Sequence, residues 1–319
     1  MALLLREAEV AELLPMADAI EAVEEAFRLL GEGQAVNRSR VRLQAGEAIL
    51  HVMSAGLPPA GVMGLKTYSS VRGRTRFVVL LFDVGTGELL AMMEADRLGQ
   101  IRTGAASGVA TRHLARPDAG VVGLLGSGWQ ARGQLLAVAA VRKLRRVQVW
   151  SPNAERCARF CREMTAALDC EVRPASGPEA VVRGAEILVT ATNARTPVLQ
   201  GAWLQPGTHI NAVGSNFAQR QEVDEETVDR SALVVVDSKE QARIEAGDLL
   251  PAIARGLLSW EQVHELSEVV TGALGRPDPA EAITLFESQG VALEDVAVAA
   301  RLYARAREAG AGEPLTLVP

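Results

Sequence analysis

The apolar positions of this chain change their period partway along it. From Pro15 onward, Ile20, Val23, Phe27 and Leu30 fall on one helical face and Gly31 and Gly33 end the run, which predicts an amphipathic helix over 15–30. The segments 40–44, 48–53, 62–71, 75–84 and 88–94 are short, rich in Val, Leu and Met, and separated by Gly or Pro. That is the pattern of an antiparallel sheet, with Asp83-Val84-Gly85-Thr86-Gly87 as a hairpin turn between two strands. The first third therefore reads as an α+β unit. From residue 120 short all-apolar strands alternate with helical stretches, as a parallel sheet covered on both faces requires. The strands are Val121–Leu125, Val147–Trp150, Ile187–Thr190, His209–Val213 and Leu233–Val236, and the crossovers 129–142, 154–168 and 178–183. Arg116-Pro117-Asp118 marks a boundary before the first of them. Near the end, Ile283-Thr284-Leu285-Phe286 precedes an alanine-rich helical stretch, Leu293 to Arg307, suited to packing back on the first domain.

The expected fold is thus α/β: a Rossmann doubly wound parallel sheet over 117–290, plus an α+β domain built from 1–116 and 291–319. A length of 319 residues suits two domains, although a single barrel also fits that length. Only 4% of residues are aromatic and the net charge is -6, with no basic run, so nucleic acid and anionic membrane are not expected partners. Met-Ala-Leu-Leu-Leu followed by Arg6-Glu7 is too short for a signal peptide and no apolar stretch reaches spanning length, so the expected compartment is the cytoplasm. Cys157, Cys161 and Cys170 crowd one segment without a nearby histidine, which reads as small buried hydrophobes or free thiols; no metal is expected.

The densest chemical signal is Val121-Val122-Gly123-Leu124-Leu125-Gly126-Ser127-Gly128-Trp129-Gln130-Ala131, an apolar strand entering a helix through Gly-x-Gly-x-x-Ala. Gly126 permits the tight turn, Gly128 lets the backbone approach a pyrophosphate, Ala131 allows close packing on the sheet, and the helix N-terminus faces the negative charge. With Ser127 and Gln130 these positions form the expected loop for NAD or NADP; the alternative is a structural glycine-rich turn. At the end of the second strand, Trp150-Ser151-Pro152-Asn153 lacks the acid that binds ribose hydroxyls. Ser151, Asn153 and Arg156 could instead donate to a 2′-phosphate, tilting the expectation toward NADP, or they simply open a helix with Ser151 or Asn153 as its cap. Val213, Gly214 and Asn216 follow the fourth strand, on the side where nicotinamide and substrate sit in doubly wound folds. Thr190 and Thr192 end the strand before it and either line the cofactor or start a turn.

Outside that region the suggestive residues are Arg40, Arg42, His51, Lys66 and Arg102. Arginine offers a fork matched to a carboxylate, and a lysine beside other cations can acquire a pKa suited to proton transfer. Lys66 is a lone charge at the end of the apolar Gly61-Val62-Met63-Gly64-Leu65, and Arg102 is placed ahead of a helix of small residues. Each could also be an ordinary surface charge.

Taken together, the blocks Gly64-Leu65-Lys66, Ile101-Arg102-Thr103-Gly104-Ala105, Gly126–Ala131, Trp203–Asn211, Glu245-Ala246-Gly247-Asp248-Leu249 and Thr284-Leu285-Phe286-Glu287-Ser288 resemble the ornithine cyclodeaminase and mu-crystallin family, which includes alanine dehydrogenases and ketimine reductases. The resemblance spans nearly the whole chain. It implies that the two chain ends form a substrate-binding and homodimerisation domain, that Arg40 and Arg102 hold a substrate carboxylate with Arg42 as the alternative to Arg40, that Lys66 is catalytic, and that Thr103 joins the cofactor contacts. Two positions depart from the ornithine cyclodeaminases: Asn216 stands for an aspartate and His51 for a glutamate near the substrate, so negative charge is missing where a distal ammonium would sit. The expected activity is NAD(P)-dependent hydride transfer on a small cyclic ketimine or α-imino or amino acid, with Lys66, Arg102 and Asn216 at the reacting centre and Arg40 and His51 beside the substrate. Ornithine cyclisation with internally recycled NAD and a non-catalytic nucleotide-binding protein are the alternatives.

Overall fold

The computed structural model describes residues 2–275 and 277–316. It divides into two compact units, Met1–Ala105 with Val291–Pro319, and Ala106–Gly290. Residues 317–319, inside the expected 291–319 segment, lie outside the described residues.

In the first unit, β1 (Ala2–Leu5), α1 (Glu7–Leu13) and α2 (Met16–Gly31) precede a meander of β2 (Val36–Ala45), β3 (Ala48–Leu57), β4 (Val62–Val71), β5 (Arg74–Asp83) and β6 (Leu89–Glu94). The meander pairs antiparallel in sequence order, as the short apolar segments separated by Gly or Pro predict. Two short strands extend it: β1 lies parallel to β6, and the C-terminal strand Glu313–Leu315 lies antiparallel to β1. The apolar Ala2–Leu5 is thus a strand of the sheet, a role its pattern alone did not announce. Period-two burial sorts the sheet into two faces. His51, Met53, Ala55 and Leu57 of β3 and Val62, Gly64, Lys66 and Tyr68 of β4 are buried on one face. A Cβ at Gly64 would stand 2.6 Å from the Leu80 carbonyl and 3.1 Å from Val296 Cγ2, so the C-terminal helix Ala292–Ala309 lies close on this face. The opposite face exposes Val41, Leu43, Leu50, Val52 and Met63, with Val41 and Leu43 65% and 63% exposed.

Helix α3 (Asp96–Leu114) begins about two turns earlier than the small-residue run suggests. Arg102 therefore lies inside a helix and not ahead of one, because Asp96 and Arg97 are as compatible with a first turn as the alanines that follow.

The second unit is an eight-stranded sheet, parallel throughout. Its strands are β7 (Val121–Leu125), β8 (Arg146–Trp150), β9 (Val172–Pro174), β10 (Ile187–Thr190), β11 (His209–Ala212), β12 (Leu233–Val236), β13 (Val263–Glu265) and β14 (Thr284–Glu287), with α4 (Trp129–Val141), α5 (Ala154–Ala167) and α6 (Pro178–Val182) in the first crossovers. The order is β13-β12-β14-β11-β10-β7-β8-β9, so β9-β8-β7-β10-β11-β14 reproduces the 3-2-1-4-5-6 order of a Rossmann sheet. The sixth position goes to β14, reached late in the chain, and β12 and β13 are added beyond it. No helix among the described residues is long and apolar enough to cross a membrane.

Candidate functional site

In the first unit, period two in β3 and β4 turns a lysine inward. Lys66 pairs in register with Met53 and Val79, and its side chain is 3% exposed. Its Nζ lies 2.8 Å from Asp295 Oδ1 and 5.2 Å from the centre of the Phe77 ring. Arg102 of α3 donates from Nε to the same Asp295 oxygen at 3.1 Å and from Nη1 to Glu294 Oε2 at 2.8 Å. Both acids come from the first turn of the C-terminal helix and are fully buried. Arg40, also buried, donates from Nε to Met53 Sδ at 3.4 Å. Burial pushes the Lys66 pKa down to about 8; Asp295 opposes the shift, while Arg102 and Arg40 add to it. Four buried charges within hydrogen-bonding reach are costly to assemble, and that cost is hard to explain by stability, since apolar replacements are often neutral or better.

The neighbouring row of the same face is aromatic. His51 stacks on Tyr68 at 4.1 Å and 7°, and Tyr68 meets Phe77 at 4.9 Å. Burial and then the charges of Arg42 and Arg40 lower the His51 pKa to about 4, so its ring is neutral at physiological pH. Its Nδ1 has no hydrogen-bond partner among the described residues. Arg42, half-buried, is the cross-strand partner of His51. Arg40, His51, Lys66 and Arg102 therefore gather on one buried face. Glu294 and Asp295 are the residues that sequence reasoning passed over. Their signal was two adjacent acids in the otherwise apolar turn Val291-Ala292-Leu293-Glu294-Asp295-Val296. Thr103 is buried and donates its hydroxyl to the Gly99 carbonyl at 2.8 Å within α3.

In the second unit the ends of β7, β10 and β11 bring three loops together. Gly126 has φ +112°, and a Cβ there would stand 2.4 Å from the Ala191 carbonyl, so only glycine fits this crossing. A Cβ at Gly128 would meet nothing within 4 Å, and Gly128 opens α4 without a side-chain cap. Open space before uncapped first-turn amides suits a phosphate group. Ala131 is fully buried, and Gln130 Oε1 has no hydrogen-bond partner among the described residues. Ser127 is half-buried beside them. These residues fit a dinucleotide's pyrophosphate and ribose.

Behind the loops a buried carboxylate holds two strand ends. Glu222 accepts from Thr190 Oγ1 at 2.9 Å, Thr192 N at 2.6 Å and Gly214 N at 2.7 Å. A Cβ at Gly214 would meet Glu222 Oε1 and the Thr192 carbonyl at 2.3 Å each. The Thr190 hydroxyl is thereby committed to the framework, and Val213 is buried in the adjoining core. Asp248 Oδ1 in turn accepts from Glu222 N at 2.6 Å and Val223 N at 2.9 Å. Burial and Glu222 raise the Asp248 pKa to about 7; burial also raises that of Glu222. Asn216 is half-buried in the loop after β11. After β8, Asn153 Oδ1 caps α5 by accepting from Arg156 N at 2.8 Å, while the Arg156 side chain is exposed and Ser151 half-buried. Among the described residues no cluster of His, Cys, Asp and Glu suited to a metal is present.

The profile of the Ornithine cyclodeaminase/mu-crystallin family matches residues 1–310. The chain belongs to that family. Within it, the chain is similar to an alanine dehydrogenase of Archaeoglobus fulgidus, 35% identical over 324 residues and 98% of each chain. It is also similar to a Delta(1)-pyrroline-2-carboxylate reductase of Bacillus cereus, 40% identical over 74% of this chain and 73% of the other. The Thermococcus litoralis Delta(1)-pyrroline-2-carboxylate reductase, solved in complex with NADH and L-proline, superposes with a TM-score of 0.94 at 36% identity, covering 98% of this chain and all of that one. The mixed α/β fold is that of these family members, and the family resemblance carried by the sequence blocks is confirmed.

Proposed function

We propose that the protein is an NAD(P)H-dependent reductase of small α-imino acids, cyclic ketimines foremost, with the reverse amino-acid dehydrogenation as its other direction. The observation that carries this reading is the buried Lys66, held 2.8 Å from Asp295 with Arg102 on the same oxygen. Support comes from two relatives whose names denote a pyrroline-2-carboxylate reductase and an alanine dehydrogenase. Arg40 and Arg102 bind the substrate carboxylate, and Lys66 as an ammonium donates a proton to the imine nitrogen. A reduced nicotinamide held at the Gly126–Ala131 loop would supply a hydride to the imine carbon while Lys66 supplies the proton, so the C=N π bond is replaced by new C–H and N–H bonds on a retained C–N single bond and the cofactor is oxidised. Neutral His51, stacked on Tyr68, lines the substrate side chain. Gly214 and Thr192 would border the nicotinamide end of the cofactor site, with Thr190 and Val213 shaping it from the framework behind, and Asn216 in the loop after β11 is the candidate for a substrate contact. An amide at Asn216 carries no charge to form an ion pair with a distal ammonium and cannot act as a carboxylate base, which weighs against ornithine as substrate.

The end of β8 offers no carboxylate against a 2′-phosphate, and Arg156 is exposed beside it, which favours NADPH. The exposed apolar face of β2, β3 and β4 is the surface for homodimerisation. The test is loss of reduced-nicotinamide absorbance with NADPH or NADH and a panel of cyclic ketimines, and 2-oxo acids with ammonia, beside L-ornithine with NAD and an ammonia assay. Stoichiometric cofactor oxidation that Lys66→Ala removes supports the reading. Ammonia from ornithine without net cofactor change sinks it in favour of cyclodeamination.

A further inference from the structure

Lys66 has few ways of being both charged and placed. Burial lowers its pKa, and among the described residues the charged or titratable groups on this face are Arg102 from α3, Arg40 and Arg42 from β2, His51 from β3, Tyr68 from β4, and Glu294 and Asp295 from the C-terminal helix, with the Phe77 ring from β5. Arg102 and Arg40 oppose the ammonium, His51 is neutral, and Glu294 is bonded to Arg102. That leaves Asp295 as the acid in direct contact with Nζ.

Asp295 has no comparable task in the fold. Its Oδ1 takes both Lys66 Nζ and Arg102 Nε, while Oδ2 is buried with no hydrogen-bond partner among the described residues. As a first-turn acid it also gains from the helix dipole, but that gain requires contact with neither cation. A carboxylate placed only to neutralise a buried cation could be deleted with it at little or no cost. Joining a lysine from β4 to an arginine from α3 through one oxygen instead fixes their relative position.

We propose, building on the reductase reading, that Asp295 is the positioning residue of this site, its Oδ1 holding the Lys66 ammonium and the Arg102 guanidinium in the arrangement that proton donation to a carboxylate-anchored imine requires. Asp295 touches neither hydride nor substrate in this role and acts through the two cations.

The experiment compares the wild type with D295N, whose amide oxygen still accepts from both cations but carries no charge. The chain has three lysines, Lys66, Lys143 and Lys239, so protein labelled with 13Cε-lysine gives three signals, and Lys66→Arg assigns the one of interest. In D295N the Lys66 signal should titrate at least about one unit lower than in the wild type, a tenfold change in its proton affinity. The alkaline limit of imine reduction should move down with it, and kcat at pH 8 should fall at least about fivefold while the NADH dissociation constant, read by fluorescence, stays within twofold. An unchanged Lys66 titration in D295N overturns the proposal. Should D295N not fold, D295E keeps the charge and shifts the oxygen by a methylene. The proposal then requires kcat to drop while Lys66 titrates as before, and wild-type kcat overturns it. The titration needs no turnover, so a protein inactive on every imine would refute the reductase reading and leave the Lys66–Asp295 result to be judged separately.

Discussion

At the scale of single residues, the titrations of buried groups make opposite and separable predictions. Lys66, with a pKa near 8, is an ammonium below that pH, so reduction should slow as pH rises through about 8 while oxidation of the amino acid speeds up. Rate profiles in both directions check this; a reductive rate flat from pH 7 to 9.5 would remove Lys66 as donor. Asp248 is lifted from 3.8 to about 7. The folded chain therefore keeps a proton that the unfolded chain releases, and stability should fall as pH rises between those values, with the whole penalty present above the upper one. Asp248→Asn retains an acceptor for the Glu222 and Val223 amides and should flatten that slope. The expected sign in thermal melts is a variant-minus-wild-type Tm more positive at pH 7.5 than at pH 5 by roughly 2 °C or more. The sequence displayed Lys66 and Arg102 as unusual charges among apolar neighbours. It could not display what neutralises them, because Glu294 and Asp295 lie some two hundred positions away and an acidic pair opening a helix has an ordinary local explanation.

Among elements, those defined by local chemistry were legible and those defined by their neighbours were not. Strand β7, its glycine turn and α4 announce themselves because each step has a steric reason confined to a few residues, such as the +112° φ of Gly126. The meander β2–β6 was equally plain from its short apolar segments and the turn residues between them. Strand β14 was harder to place, since Thr284–Glu287 is apolar in its middle but only pairing with β11 and β12 puts it in the sheet. Strands β9 and β13, three residues each, carry too little pattern to be seen. The loop chemistry gives a direct test. Gly128→Val adds a side chain in open space, so the melting temperature should change little while the NADH dissociation constant rises at least about tenfold; Gly126→Val should cost stability as well, because its Cβ would strike the Ala191 carbonyl. Equal effects of the two on binding and on Tm would argue that Gly128 is only a structural turn.

For the whole molecule, the exposed face of the first unit sets the expected assembly. Val41 pairs with Val52 and Leu43 with Leu50 across β2 and β3, and all four side chains are exposed. A contiguous apolar patch of this sort marks an association surface. Val41→Glu with Leu43→Glu should convert a dimer to a monomer in light scattering, and a wild type monomeric at every concentration would remove the proposed pairing.

The two-part first unit also has a consequence for how the protein is made. Strands β1–β6 of its sheet are synthesised early, yet the helix that carries Asp295 belongs to the same unit and emerges only after residue 290. At about 5–20 residues per second, translation of the intervening segment takes roughly 10–40 s. During that interval the nascent chain carries Lys66 on β4 and Arg102 on α3 without their carboxylate partners Glu294 and Asp295. The charge cluster of the first unit is thus completed only after all of the second unit has been synthesised.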